Sequence, residues 1–67
     1  MGSEEIEKAL LDHHGLRITP AMSEYILAKL KSSPREIPII AGDAKTGMPI
    51  RTVIPSDTLQ SYLSPQP

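Results

Sequence analysis

Apolar positions recur at helical spacing through the first part of the chain. Ile6, Ala9, Leu10 and His13 follow an i, i+3, i+4, i+7 pattern, and Leu11 widens the stripe. Glu4 and Glu5 fall in the first turn, where carboxylates favour the positive end of a helix dipole, and Ser3 is a candidate N-cap. Gly15 suits the residue just past a helix, with Leu16 supplying the apolar contact that accompanies such a cap. The pattern predicts a helix over residues 4–14. Leu16-Arg17-Ile18 reads as a short extended link. Thr19-Pro20 is a strong start signal, an N-cap followed by proline at the first helical position. Met22, Tyr25, Ile26, Lys29 and Leu30 then share one face, with Ala21 and Ala28 beside it. Pro34 disfavours helical geometry at the residue before it, so this second helix is predicted over residues 20–32, ending near Ser32-Ser33.

The period then changes from helical to alternating. Two β-branched runs, residues 36–41 and 48–54, flank Gly42-Asp43-Ala44-Lys45-Thr46-Gly47, which is the pattern of a β-hairpin. Ile37 and Ile39 share one strand face; Ile50, Thr52 and Ile54 share one face of the other strand. Pro38 and Pro49 cannot donate to a ladder and must sit at edge or non-bonding positions. Proline there discourages unwanted pairing; the alternative is that these strands complete a partner's sheet. Pro55-Ser56-Asp57 restarts a helix with Ser56 as expected N-cap, and Leu59, Tyr62 and Leu63 form its apolar side. Residues 64–67, Ser-Pro-Gln-Pro, read as a flexible tail or the start of a linker. The fold class is α+β: a small α-α-β-β-α domain over residues 1–63, two helices packed on a β-hairpin with a short C-terminal helix.

Composition tightens this picture. Sixty-seven residues make one domain, with no Cys, Trp or Phe and only two Tyr. Disulfides and thiolate metal sites are excluded, and the core must come from Ile, Leu, Met, Val and Ala. A chain of this size buries roughly 60% of its unfolded surface, so self-association or docking on a protein partner adds useful stability. Homo-oligomer and separate partner both stay open. No apolar run approaches the roughly 18 residues of a membrane span, and the acidic N-terminus lacks the apolar stretch of a signal peptide. The expectation is a cytoplasmic protein with no membrane partner.

The net charge of −1 is unevenly spread. Residues 1–14 carry Glu4, Glu5, Glu7 and Asp12 against Lys8; residues 15–36 carry Arg17, Lys29, Lys31 and Arg35 against Glu24 and Glu36; the remainder balances. The overall basic excess of a strong nucleic-acid binder is missing. Chemistry-bearing motifs are missing too. Asp12-His13-His14 places its two histidines about 100° apart on one helix, so they cannot chelate one ion together. Gly42–Gly47 has Lys-Thr before its second glycine and a strand after it, unlike a phosphate loop. Ser23, Ser56 and Ser61 have no histidine or acid at catalytic spacing. The expectation is no enzyme, no cofactor and no metal.

What remains is surface. The leading expectation is a protein-interaction or oligomerisation module that uses the hairpin through Ile39, Ile40, Met48, Ile50 and Val53. Met22, Met48 and Tyr25 add adaptable apolar area. The alternative is a DNA-binding regulator with Lys29, Lys31, Arg35, Lys45 and Arg51 on phosphates. One stretch bears on it: His14-Gly15-Leu16-Arg17-Ile18-Thr19-Pro20 resembles the opening of the winged-helix domain of ferric-uptake-regulator-type repressors. The resemblance covers residues 10–31. It implies that the second helix approaches a duplex and the hairpin serves as a wing. Ala21-Met22 stands where that family carries Gln-Arg, no recognition helix precedes the hairpin, and the metal-binding half is absent, so no functional residue is carried over.

Overall fold

The computed structural model describes residues 2–32 and 34–63. The order is α1 (Gly2–His14), β1 (Leu16–Arg17), α2 (Pro20–Lys31), β2 (Glu36–Asp43), β3 (Pro49–Pro55) and α3 (Ser56–Tyr62). This is the expected α+β arrangement with one addition. Leu16-Arg17 is a strand rather than a link: it pairs antiparallel with Asp43 and Gly42 and makes a three-stranded sheet of order β1-β2-β3. The second helix, expected over residues 20–32, ends at Lys31 with Ser32 as its C-cap. Residue 33 and the expected tail 64–67 lie outside the described residues.

Register explains how a sheet tolerates so many prolines. β2 and β3 pair from Glu36 with Pro55 to Gly42 with Pro49. The Asp43 N–H donates to the Met48 carbonyl at 2.8 Å, whereas the Ala44 N–H donates to Gly15 at 3.0 Å. Odd-numbered residues of β2 therefore bond toward β3 and even-numbered ones toward β1, because bonding direction alternates along an antiparallel strand. Pro38 opposite Val53, Pro49 opposite Gly42 and Pro55 opposite Glu36 all fall in even-numbered pairs. No proline takes a donor from the β2–β3 ladder.

The same alternation sets the core. Ile37, Ile39 and Ala41 point inward from β2 and meet Ile54 of β3, Ile6 and Leu10 of α1, Leu16 of β1, Ile26 and Leu30 of α2, and Leu59 of α3. All three helices thus share one face of the sheet. Caps fix where they start and stop. The Thr19 hydroxyl accepts the Met22 N–H at 3.1 Å, and Pro20 opens α2 as expected. Gly15 adopts φ +65° past the end of α1, a conformation that costs other residues strain.

Two cap expectations are corrected. Ser3 lies inside α1, which begins at Gly2. Ser56 is the first residue of α3, and Pro55 holds the cap position. Ser56 is buried instead and clamps α3 to the loop before β2: its hydroxyl donates to the Pro34 carbonyl and its N–H to the Arg35 carbonyl. A serine before an apolar helical stretch signals a cap by pattern, but here proline has already set the entry angle.

Candidate interaction surface

With the helices on one side, the other face of the β2–β3 ribbon carries Glu36, Pro38, Ile40, Arg51, Val53 and Pro55, all exposed. Ile40 is 61% exposed and Val53 51%. Register places Pro38 opposite Val53 and Ile40 opposite Arg51, so the apolar side chains form one patch. Beside it, where β1 stops and α2 begins, Thr19, Ala21, Met22, Tyr25, Pro38 and Ile40 line a groove of about 490 Å³. A second depression of about 310 Å³ runs over Pro38, Ile40, Arg51 and Val53. The two share Pro38 and Ile40 and make one surface from α2 across to β3. Tyr25 is 39% exposed at its rim, with the Lys29 ammonium 5.6 Å from the ring centroid.

Five hairpin residues were expected to meet a partner, and the fold divides them. Ile40 and Val53 lie together on the outer face. Ile39 does not lie on that face: at 1% exposure its side chain belongs to the core, as that of Ile37 does. Ile50 is half-buried on the same inner side, packed against the core. Met48 is exposed at the hairpin end, just before β3 begins at Pro49. Pro38 was missed. Its signal was available: if Ile37 and Ile39 point inward, Pro38 and Ile40 must point outward.

The basic residues do not gather on one face. Lys29 and Lys31 end α2, and Arg35 precedes β2. Lys45 sits in the turn at the far end of β2, eight residues long, which is about 26 Å away. Arg51 lies on the outer face, at the end of its apolar patch away from Glu36. Among the described residues no helix stands between α2 and β2.

The turn itself is committed to internal bonds. The Asp43 carboxylate accepts the backbone N–H groups of Lys45 at 2.7 Å and Thr46 at 2.9 Å. The Thr46 amide, then the Lys45 amide, holds the Asp43 carboxyl below its ordinary pKa, because both bonds favour the charged form. The amides that would cradle a phosphate are therefore occupied by the turn's own carboxylate. Across the domain, His14 Nε2 lies 2.6 Å from the Tyr62 hydroxyl, and the His13 ring stacks on Tyr62 with centroids 5.1 Å apart. These histidines join α1 to α3. Among the described residues no three His, Asp or Glu side chains converge as a metal site, and no helix is long and apolar enough to cross a membrane.

No protein-family model matches the chain, and no curated protein shows significant similarity to it.

Proposed function

We propose that this chain is a non-enzymatic protein-interaction module whose docking surface is the outer face of the β2–β3 ribbon, extended by the groove beside α2. The exposure of Ile40 and Val53, adjacent on a sheet face that no described element covers, carries this reading. Fully burying side chains of this kind gains about 1.5–3 kcal/mol each, so a partner that covers them has a real driving force. Strand chemistry argues that docking is face-on. The outward backbone of β3 offers only the Arg51 and Val53 N–H groups between Pro49 and Pro55, a short edge of the kind that resists strand addition. A chain without Cys fits a reducing compartment, and cytoplasmic action is part of this reading.

A photo-crosslinking amino acid at Val53, in cells producing the protein, tests it. The same group at Asp57, exposed on α3, is the control. The expected result is a protein adduct from position 53 and none from position 57. Absence of protein adducts at 53, or adducts to nucleic acid, would overturn the reading.

A further inference from the structure

The charges at the corners of the outer face narrow the choice of occupant. Glu36 and Arg51 both lie on this face, at opposite ends of the patch that Pro38, Ile40 and Val53 fill. Register sets Arg51 opposite Ile40, four residues along β2 from Glu36, so the two backbone positions are about 14 Å apart. Within one chain the two side chains are not paired with each other. The described residues give neither of them an ion-pair partner.

This layout is complementary to itself. Let a two-fold axis lie between two such faces and cross the Glu36–Arg51 diagonal at right angles. Glu36 of each copy then sits over Arg51 of the other. Pro38 and Val53 lie close to the axis, and Ile40 of each copy sits beside Pro38 of the other. An isologous interface requires this kind of reciprocity. The net charge of −1 opposes association of two copies very little. Prolines on the strand edges favour face-to-face pairing over edge-to-edge pairing.

We infer that the occupant is a second copy of this chain, docked face to face about a two-fold axis with reciprocal Glu36–Arg51 pairs. This rests on the docking reading above. Sedimentation equilibrium tests it on the full chain at low salt, over about 10 μM to 1 mM, the span in which a small interface dissociates. The wild type should dimerise. E36R and R51E each place like charges together and should raise the dimer dissociation constant about tenfold or more. E36R/R51E exchanges both partners and should return the constant to within about threefold of wild type. Both positions are exposed, so far-UV circular dichroism of every variant should match the wild type.

Single variants that associate like the wild type, or a double variant that fails to recover, would overturn the reciprocal pairs. A wild type that stays monomeric throughout would overturn the second copy as occupant. The Val53 crosslink separates that failure from failure of the docking reading: an adduct to a different protein removes only the second copy, and no protein adduct removes both.

Discussion

Replacing Ile39 by Ala removes three carbons from a side chain that is 1% exposed. At about 0.8 kcal/mol per buried CH₂, the lost transfer free energy is roughly 2.4 kcal/mol. The cavity left among Ile37, Ile54 and the helices raises the total to about 3–4 kcal/mol. A domain of this length has about 3–10 kcal/mol of stability in all, so Ile39→Ala should be marginally folded. Ile39→Val removes one carbon and gives a graded loss of about 1 kcal/mol. The same Ala substitution one residue later differs. Ile40 is 61% exposed, so its truncation should cost roughly 1 kcal/mol or less in the isolated chain while weakening association. Urea unfolding followed by far-UV circular dichroism, at a few μM so that association does not contribute, reads the difference. Equal losses at positions 39 and 40 would refute the assignment of faces. So would Ile39→Val weakening association more than Ile40→Ala.

Other substitutions probe the local devices. Gly15→Ala should cost about 1–2 kcal/mol in urea unfolding; a Cβ there meets nothing within 4 Å, so the cost is strain at φ +65° rather than a clash. Thr19→Ala removes the side-chain acceptor of the Met22 N–H and should cost about 1 kcal/mol in the same assay. Asp43 has a folded pKa below its ordinary 3.8, so its charged form stabilises the fold above that value, and the stabilisation is lost as pH falls through the folded pKa. Asp43→Asn should therefore flatten the pH dependence of unfolding below about pH 4 and leave its slope unchanged near neutrality.

The helices and the hairpin were legible because their signals are periodic or chemical. Ile6 and Leu10 in α1, and Ile26 and Leu30 in α2, repeat at helical spacing, and Thr19-Pro20 has one obvious structural use. β1 was not legible: two residues, Leu16 and Arg17, are too few to show alternation, and their strand character comes from Gly42 and Asp43, far along the chain. Serine favours a cap position, so Ser3 and Ser56 suggest caps by pattern, but neighbouring residues decide which turn is first. The common face of Ile37 and Ile39 was readable, yet which face meets the helices depends on packing. That step removes Ile39 from the surface and adds Pro38. The dispersal of Lys29, Arg35 and Lys45 was likewise a property of the fold, since the length of β2 keeps its two ends apart.

Backbone amide shifts, mapped by NMR as protein concentration rises and then as a short mixed-sequence DNA duplex is added, test the role of the outer face most directly. Concentration-dependent shifts at Ile40, Arg51 and Val53, quiet inner positions Ile37 and Ile39, and indifference to the duplex are the expected result. Silence at Ile40, Arg51 and Val53 at every concentration, with duplex-induced shifts at Lys29, Lys31, Arg35 and Lys45 that vanish as salt rises, would contradict it.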